Sequence, residues 1–350
     1  MTTINKDMPV MITGATGYVA GRIIEKLLSE GITVHAAVRQ PDNKEKTKYL
    51  DSLAEKLQGE IKYFKSDLLV EGSYDKAAEG CEVIFHTASP FTLEVKDPQK
   101  QLIDPALKGT KNVLSTASKI ETIKRVVLTS SCAAIYGDSA DVAEAPNGIL
   151  TEEVWNTTSS LEHNPYSYSK TLAEKSAWEI AEKQSKWDMV VINPSFVVGP
   201  GINPNATSET YNIFKQLSDG TMKSGAPHWE VGVIDVRDLA VGHYNAAFTP
   251  TANGRNIISA ETSSFLGIAK ILVDNFSGYP FPKKKAPKFL AWLFAPAAGM
   301  TRKMVSKNVG HYWKADNSKS IKELNMNYRS VEETVIDFFK HLEEGGVVKK

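Results

Sequence analysis

The stretch that decides the fold is Val10-Met11-Ile12-Thr13-Gly14-Ala15-Thr16-Gly17-Tyr18-Val19-Ala20-Gly21. Its apolar first residues predict a buried strand, and the residues from 19 onwards predict an amphipathic helix. Gly14, Gly17 and Ala20 have the spacing GxxGxxA, which leaves room for a pyrophosphate to approach the backbone N–H groups at the start of a helix. A plain turn between strand and helix is the alternative, but it rarely needs this pattern. The stretch therefore predicts a dinucleotide-binding turn.

The chain repeats this alternation of strand and helix up to about residue 200. Apolar runs predict strands at 9–13, 32–38, 61–64, 82–86, 125–129 and 189–193. Helical patterns lie between them, including 19–28, 104–118 and 166–184. Such strands indicate a parallel sheet with helices on both faces, that is, a doubly wound α/β Rossmann domain. We predict this domain over 8–200 and a smaller mixed α/β region over 201–350, some segments of which return to the sheet.

Composition and charge restrict the class of protein. The 350 residues contain 41 Lys and Arg against 41 Asp and Glu, which argues against nucleic acid as a partner. Two cysteines cannot form a disulfide framework, and we expect a cytoplasmic location. No apolar run reaches the roughly 20 residues of a spanning helix and the N-terminus lacks an apolar leader, so we expect no membrane partner. The apolar stretch 289–294, which follows three lysines, predicts a packed helix rather than a membrane contact.

The residues after the second strand predict which dinucleotide is bound. The strand ends in Val38-Arg39-Gln40-Pro41, and Lys44 and Lys46 follow. Sites that prefer NAD place an Asp or Glu at this point, whereas a guanidinium and a second cation suit a 2′-phosphate. Arg39 and Lys46 therefore favour NADPH over NADH, with a solvated surface charge as the alternative.

Two further strand ends predict contacts with the same cofactor. Asp67, which precedes Leu68 after the third strand, could accept a hydrogen bond from an adenine amino group; capping of a helix is the alternative. The fourth strand ends in His86-Thr87-Ala88-Ser89-Pro90, whose small residues suit a backbone beside a cofactor ribose. His86 itself is predicted to be a packed strand residue and not a catalyst.

Tyr166 and Lys170 are the predicted catalytic pair. They lie four residues apart at the start of a helix, so they share one face of it. The neighbouring ammonium is expected to lower the pKa of the phenol, which makes the phenol a usable acid or base near neutrality. Ser131, at the end of the fifth strand, could bind a carbonyl oxygen together with Tyr166. Ser130 and a capping role are the alternatives, and no metal site is predicted.

These motifs occur in the order found in a known family. The chain resembles the extended short-chain dehydrogenases/reductases from about residue 8 to residue 345. Within them it resembles the dihydroflavonol 4-reductase and cinnamoyl-CoA reductase group, which includes microbial aldehyde and ketone reductases. The resemblance is carried by the glycine turn, 38–41, 67–68, 86–90, 129–131, 166–170 and 193–200. It implies a triad of Ser131, Tyr166 and Lys170, and these cofactor contacts: Thr13, Gly14, Thr16, Gly17, Tyr18, Val19, Arg39, Lys46, Asp67, Leu68, Thr87, Ala88, Ser89, Tyr166, Lys170, Pro194 and Val197.

The resemblance implies an NADPH-dependent carbonyl reductase in which Tyr166 donates the proton. Two departures from the family bear on the substrate. The segment 164–170 differs from the signature of cinnamoyl-CoA reductases at Pro165, Ser167 and Ser169. Tyr136 stands where dihydroflavonol reductases hold a flavonoid-binding Asn. We therefore expect medium-sized, apolar aldehydes or ketones rather than flavonoids or CoA thioesters.

Phe91, Tyr136 and Phe196, together with the segment 202–230, are predicted to form the wall of the substrate pocket, and the apolar stretch 289–294 is a further candidate for it. Other functions on the same fold stay open. One is an NAD-dependent sugar-nucleotide epimerase or dehydratase, a second is a protein that senses the dinucleotide without turnover, and a third is a steroid dehydrogenase. The sequence also leaves a monomer and a homodimer open.

Overall fold

The structure is a computed structural model that describes residues 1–89 and 95–350. Its strands are β1 (Val10–Thr13), β2 (Val34–Val38), β3 (Ile61–Lys65), β4 (Val83–His86), β5 (Arg125–Thr129), β6 (Asp188–Pro194), β7 (Phe196–Val198), β8 (Glu230–Asp235), β9 (Gly254–Ile258) and β10 (Glu261–Ser264). Its α-helices are α1 (Tyr18–Ser29), α2 (Lys44–Lys56), α3 (Asp75–Ala78), α4 (Asp104–Lys119), α5 (Pro165–Ala181), α6 (Glu209–Ser218), α7 (Val236–Phe248), α8 (Phe265–Asn275), α9 (Lys288–Phe294), α10 (Arg302–Asn308), α11 (Ser318–Glu323) and α12 (Val331–Glu344).

The larger sheet has the strand order β3-β2-β1-β4-β5-β6-β9, and every neighbouring pair in it is parallel. Because β1 pairs with β2 on one side and with β4 on the other, the direction of strand succession reverses there. A crevice therefore opens outside the carboxyl ends of β1 and β4. A second sheet, β10-β8-β7, pairs β7 and β8 in parallel and β8 and β10 antiparallel. The doubly wound α/β class predicted from the sequence is confirmed.

Both faces of the larger sheet are covered, which explains its continuous apolar strands. In β1, Val10 and Ile12 belong to one core and Met11 to the other, because successive side chains of a strand point to opposite faces. The first core also contains Ile23 and Leu27 of α1. The second core is closed by side chains of α4 and α5. The helix that carries Tyr166 is therefore anchored on the sheet.

The chain after residue 200 contributes both to the sheet and to a further core. β9 extends the sheet beside β6, and α7 packs against α1. The further core is formed by α6, α8 and α12, where the rings of Phe214 and Phe338 lie 4.7 Å apart and Phe339 is fully buried. The small sheet lies between these two parts and brings C-terminal residues to the cleft.

The apolar stretch 289–294 lies in α9, but it is not packed. Phe289 and Phe294 are 67% and 61% exposed, and Leu290, Trp292 and Leu293 are exposed as well. Alanines of this segment make its inward contacts instead. The expectation of a packed helix is therefore wrong, because the small side chains and not the large ones face the protein. Within the two described ranges, no helix is long and apolar enough to cross a bilayer.

Candidate active site

The glycine turn lies between the ends of β1 and β4. Gly14 has a φ of +64°, and a Cβ atom there would come within 3.1 Å of the Cα atom of Ala88. Gly17 is the N-cap of α1 and offers no side-chain acceptor to the first N–H groups of the helix. Together with Thr16 it is exposed. An anion at this point would accept from these N–H groups at the positive end of the helix dipole, so the turn fits a pyrophosphate.

Thr13 joins the end of β1 to the residues that follow β4. Its Oγ1 accepts hydrogen bonds from the backbone N–H groups of Thr87 at 3.1 Å and Ala88 at 3.0 Å, and it lies 3.0 Å from Nδ1 of His86. Burial, together with the nearby charge of Lys170, lowers the pKa of His86 to about 3, so the ring is neutral at neutral pH. His86 is a packed strand residue as predicted, and Thr13 orders the loop beside the crevice.

Tyr18 and Val19 fix the start of α1. The Tyr18 hydroxyl donates to the carbonyl oxygen of Gly199 at 2.5 Å, and its ring meets Tyr211 edge-on at 5.5 Å. Val19 packs against the first core. Both side chains therefore have structural contacts that hold the turn against the loop after β7. Ser89 is exposed at the border of the described residues, and Phe91 lies outside them.

The two cations predicted to bind the phosphate, Arg39 and Lys46, differ from their neighbour Lys44 in the contacts they make. Lys44 forms an ion pair with Asp51 at 3.3 Å. Lys46 is exposed, and its Nζ donates to Oε1 of Gln40 at 3.0 Å. Arg39 is exposed directly after β2, and in the described part of the chain neither Arg39 nor Lys46 forms an ion pair. These two cations are therefore free to bind a phosphate at the end of β2.

Asp67 shapes the turn after β3. Its Oδ1 accepts from the backbone N–H group of Leu69 at 2.9 Å, and its backbone exchanges hydrogen bonds with Ser73 at 3.1 and 2.7 Å. The carboxylate therefore caps a turn and not a helix, since the next helix, α3, begins only at Asp75, and the adenine contact stays a prediction. Leu68 packs onto α4, where a Cβ atom at Gly109 would come within 2.2 Å of it.

The start of α5 places the catalytic pair. The N-cap residue Asn164 has a left-handed conformation with φ of 53°, and its Nδ2 donates to the carbonyl oxygen of Gly137 at 2.8 Å. One turn of helix then separates Tyr166 from Lys170. The hydroxyl of Ser131 lies near the Tyr166 phenol and lowers the pKa of that phenol, and its Oγ accepts from the backbone N–H group of Ala133 at 3.1 Å. The structure brings together all three residues of the predicted triad, and Ser131 also caps the next turn.

The pKa of Tyr166 departs from the sequence-based expectation. The residue is 45% exposed as a whole, yet its hydroxyl group is set among protein atoms. That burial raises the pKa of the phenol, and the hydrogen bond with Ser131 offsets only part of the effect. The expected lowering by Lys170 is therefore wrong for this arrangement. Burial also lowers the pKa of Lys170 to about 8, against the opposing charge of Glu174.

Glu174 extends the row formed by Tyr166 and Lys170 by one more helical turn. Its carboxylate is buried and accepts from Nε of Arg255 in β9 at 2.6 Å. It also accepts from Nδ2 of Asn193 at 2.9 Å and from the hydroxyl of Ser130. The carboxylate thus joins α5 to the ends of β5 and β6 and to β9. Sequence reasoning missed Glu174, although its i+4 spacing from Lys170 was a usable signal.

Ser130 and Ser131 have different surroundings. Ser130 is buried and its hydroxyl is committed to Glu174, whereas the hydroxyl of Ser131 meets Tyr166. Arg255, which holds Glu174, stacks on the ring of Trp155 with 3.8 Å between Cζ and the ring centroid. The sequence-based choice of Ser131 over Ser130 agrees with this placement.

The predicted substrate residues lie in two aromatic groups. Tyr136 meets Trp313 edge-on at 6.0 Å, after the end of β5. Phe196 meets Phe265 edge-on at 5.9 Å, and Phe265 in turn meets Trp229 at 6.1 Å. Trp229 lies in the segment 202–230, which the sequence places in the predicted wall. Sequence reasoning missed Phe265 and Trp313, because they come from later in the chain and have no local motif.

Pro194 and Val197 flank the same point of the chain as Phe196. Pro194 is buried at the end of β6, and Val197 pairs with Ile234 of β8. The carbonyl oxygen of Val197 accepts from the hydroxyl of Thr210 at 2.7 Å. These contacts fix the backbone beside the cleft, and the predicted nicotinamide contacts stay predictions.

The remaining candidate reactive groups are the two cysteines and the side chains that could bind a metal. Cys81 and Cys132 are buried, and burial raises the pKa of both thiols, that of Cys81 to about 12. In residues 1–89 and 95–350, no group of three His, Cys, Asp or Glu side chains is placed to hold a metal ion.

Comparison with known proteins agrees with this geometry. Residues 10–254 match the NAD dependent epimerase/dehydratase family. The chain is 37% identical over 292 residues to a cinnamoyl-CoA reductase of Medicago truncatula, which covers 82% of this chain and 86% of that protein. It is 38% identical over 282 residues to tetraketide alpha-pyrone reductase 2 of Arabidopsis thaliana, covering 79% and 86%. It also superposes on the yeast methylglyoxal/isovaleraldehyde reductase complexed with NADPH, with a TM-score of 0.75 and 26% identity, over 97% and 100% of the two chains.

The chain therefore belongs to the NAD dependent epimerase/dehydratase family, as an extended short-chain dehydrogenase/reductase. Within that family it groups with cinnamoyl-CoA reductases and related plant reductases, which confirms the resemblance seen in the sequence. It is an NAD(P)-dependent oxidoreductase, and the NADPH-bound relative supports a cofactor of the NADP type. The reductase relatives support carbonyl reduction in general terms.

Proposed function

We propose that this protein reduces an aldehyde or ketone to the alcohol with NADPH and that Tyr166 donates the proton. The proposal is carried by the meeting of Ser131, Tyr166 and Lys170 after the end of β5, in a fold whose glycine turn fits a pyrophosphate. When bound, NADPH supplies a hydride to the carbonyl carbon. The protein then has to orient the carbonyl and provide a proton to its oxygen.

Each residue of the triad has a separate task. The Ser131 oxygen is held by the N–H group of Ala133, which leaves its hydroxyl proton to donate to the carbonyl oxygen. Tyr166 keeps its proton at neutral pH because its pKa is raised, so it can donate to the same oxygen as negative charge develops. Lys170, one helical turn from Tyr166, would bind the nicotinamide ribose through its ammonium group.

The structure contains a cavity behind Lys170. It lies between β4, β5, α4 and α5 and is lined by the side chains Ala106, Thr110, Thr129, Ser130, Lys170 and Glu174. Many family members carry an Asn near position 106, and this chain has Ala106 there. Hydroxyl groups and the ammonium can hold water in such a polar cavity. We propose that water in this cavity completes the relay that returns the proton to Tyr166.

The preference for NADPH over NADH is also a proposal, based on Arg39 and Lys46. Both cations are exposed, Arg39 after the end of β2 and Lys46 in the first turn of α2, and they form no ion pair in the described ranges. A charge-assisted contact with a 2′-phosphate would use them directly. The NADPH-bound relative supports this choice, and the absence of an acidic residue at position 39 disfavours the NAD-type contact with a ribose hydroxyl.

We propose medium-sized, apolar carbonyl compounds as substrates. The side chains near the ends of β5 and β6 are aromatic, and edge-on contacts hold Tyr136 and Phe196 in place. Such walls favour apolar groups beside a few fixed hydroxyls. Packed rings are not readily displaced, so Tyr136 would narrow the cleft against a flavonoid.

A sugar-nucleotide epimerase or dehydratase is the second candidate, because the matching family includes such enzymes. These usually hold NAD tightly and carry an acidic residue where Arg39 stands. A dinucleotide sensor without turnover would be expected to lose the Tyr or the Lys, and this chain keeps both. Both alternatives are less well supported than reduction.

The test is a steady-state screen that follows NADPH oxidation. Aldehydes, 1,2-dicarbonyl compounds, β-keto esters and cyclic ketones are compared with dihydroquercetin and a cinnamoyl thioester. We expect turnover of a small carbonyl compound with a higher kcat/KM than either plant substrate. Turnover of no carbonyl, with NAD found bound after purification, would favour the epimerase. A cinnamoyl thioester that exceeds every small carbonyl would overturn the substrate class and leave the reductase chemistry in place.

A further inference from the structure

The surface around α9 combines exposed aromatic side chains with unpaired cations. We call it the α9 surface, and it consists of Lys283, Lys284, Lys285, Lys288, Phe289, Leu290, Trp292, Leu293, Phe294, Arg302 and Lys303. Large apolar side chains occur singly on most protein surfaces, whereas a contiguous group of five marks a contact site. The α9 surface thus has a composition that calls for a partner.

The contacts of α9 with the rest of the protein determine which of its side chains face solvent. Ala291 and Ala295 face inwards and pack with Val305 and Val309 of the following segment. In addition, the guanidinium of Arg302 lies over the ring of Trp292, with 4.7 Å between Cζ and the ring centroid. Because the small side chains make the internal contacts, the helix turns its large side chains towards solvent.

The chain segment that contains α9 carries charges of one sign. From residue 275 to residue 315 the sequence contains no Asp or Glu, although the whole chain has 41 acidic and 41 basic residues. The same segment holds eight cations: Lys283, Lys284, Lys285, Lys288, Arg302, Lys303, Lys307 and Lys314. In the described part of the chain, none of them forms an ion pair. A partner that covers this surface should therefore be both anionic and apolar.

We propose that the α9 surface binds to a bilayer that contains anionic phospholipids. A bilayer offers negative headgroups beside hydrocarbon, which matches the two components of the surface. Lysines near an anionic membrane contribute electrostatic attraction, and Trp and Phe insert at the boundary between headgroups and acyl chains. Lys and Arg side chains can keep their charged ends at the headgroups while their stems lie on apolar surface.

This attachment is peripheral and goes beyond the proposed function. It involves no helix that spans the bilayer, and it requires no turnover. It departs from the sequence-based expectation of no membrane partner, because that expectation assumed a packed helix at 289–294. A second copy of the chain could cover the apolar side chains, but two identical basic surfaces would repel each other. The bilayer is thus the occupant favoured by charge.

The test is co-sedimentation of the full chain with vesicles. One set consists of phosphatidylcholine alone, and the other is an equal mixture of phosphatidylcholine and phosphatidylglycerol. We expect binding to the mixed vesicles that weakens with added salt, because screening acts on exposed charges. A variant with Lys283→Gln, Lys284→Gln and Lys285→Gln should bind roughly a hundredfold more weakly, given the attraction of each lysine to an anionic surface.

Matched variants test whether vesicle binding depends on the α9 surface or on exposed lysines and apolar side chains in general. Lys62→Gln, Lys111→Gln and Lys183→Gln remove three exposed lysines elsewhere and should leave binding unchanged. Phe289→Ser with Phe294→Ser should abolish binding, whereas Leu69→Ser with Val70→Ser, at another exposed apolar pair, should not. Thermal melting of each variant establishes that it is folded. Brominated lipids should quench the fluorescence of the wild type more than that of Trp292→Phe.

Three results would overturn the proposal. One is a lack of binding to either kind of vesicle. Another is equal loss of binding in the matched variants, which would indicate nonspecific adsorption. The third is a dimer in solution, without lipid, that Phe289→Ser with Phe294→Ser dissociates, since a second copy would then occupy the surface. Each result is independent of whether any carbonyl compound is reduced.

Discussion

The cofactor side and the substrate side of the cleft are built from different kinds of sequence. Most of the predicted cofactor contacts lie within residues 10–89, mainly at the ends of strands and in one turn, and the rest lie in α5, β6 and β7. The substrate side gathers Tyr136, Phe196, Trp229, Phe265 and Trp313 from separate segments. The predicted cofactor contacts therefore come mainly from local motifs, whereas the predicted substrate wall depends on how the C-terminal part folds back. A shared fold consequently fixes the cofactor contacts and leaves the substrate wall variable.

Replacing Tyr166 tests whether its phenol, located between the cofactor side and the substrate side, is the proton donor. Tyr166→Phe removes a single hydroxyl, and we expect kcat/KM for carbonyl reduction to fall by about 10²–10⁴-fold, the usual contribution of a general acid. NADPH binding, followed by fluorescence, should stay unchanged. Tyr168→Phe makes the same change two positions along the helix and is the matched control. A Tyr166→Phe enzyme that retains more than about a tenth of the wild-type rate, with hydride transfer rate-limiting, contradicts the assignment.

Breaking the buried pair of Glu174 and Arg255 should lower the stability and move the pH profile. Removal of one partner of a buried ion pair typically costs about 3–5 kcal/mol, so Glu174→Gln and Arg255→Met should both lower Tm. Lys170, with a pKa of about 8, loses its charge as the pH rises through that value, and reduction should decline there. Glu174→Gln removes the anion that raises this pKa, so the decline should begin at lower pH.

Arg255→Met should move the pH at which reduction declines in the opposite direction. It removes the cation that pairs with Glu174 and leaves the negative charge of that carboxylate unopposed, so the decline should begin at higher pH. The other groups that face Lys170 do not titrate in this range, because His86 on β4 is neutral and α4 contributes Ala106 and Thr110 to the cavity. The measurement is kcat/KM against pH. If the profile moves equally and in the same direction in both variants, Glu174 and Arg255 have a structural role only.

Reversing the charge at position 39 tests the cofactor side alone. One charge-assisted hydrogen bond to a phosphate is worth about 1.5–3 kcal/mol, so Arg39→Asp should lower the preference for NADPH over NADH by tenfold or more. Lys44→Asp is the control, because Lys44 is already paired with Asp51. The ratio of kcat/KM for the two cofactors is the measurement. An unchanged ratio, or a wild type that prefers NADH, would mean that Arg39 is an ordinary surface charge.

The parts that the sequence predicts correctly are those with a short-range physical cause. Apolar runs give the parallel strands, and the positions of Gly14 and Gly17 give the turn, because both depend on neighbours in the chain. The pair Tyr166 and Lys170 follows from helical spacing in the same way. The packed role of His86 follows from its place in a strand that is buried on both faces.

The parts that sequence reasoning missed depend on distant partners. Glu174 was not recognised because Arg255 approaches it only after β9 joins the sheet. The direction of the Tyr166 pKa was wrong because burial raises it, and burial is a property of the folded cleft. The exposure of α9 was missed because an apolar sequence does not reveal which of its side chains face inwards.

The smallest expected effect lies on the substrate side. Phe196→Leu keeps an apolar residue but removes the edge-on contact with Phe265. Aromatic pairs contribute about 0.5–1.5 kcal/mol beyond the area they bury, so KM for an apolar carbonyl compound should rise roughly two- to tenfold. NADPH binding should be unaffected, because the cofactor side is built from other segments. Phe276→Leu removes an aromatic contact with Phe339, in the core formed by α6, α8 and α12, and should lower Tm without changing KM. If both variants change KM alike, the aromatic group near β7 is part of the general core, and the two sides of the cleft are not separable in this way.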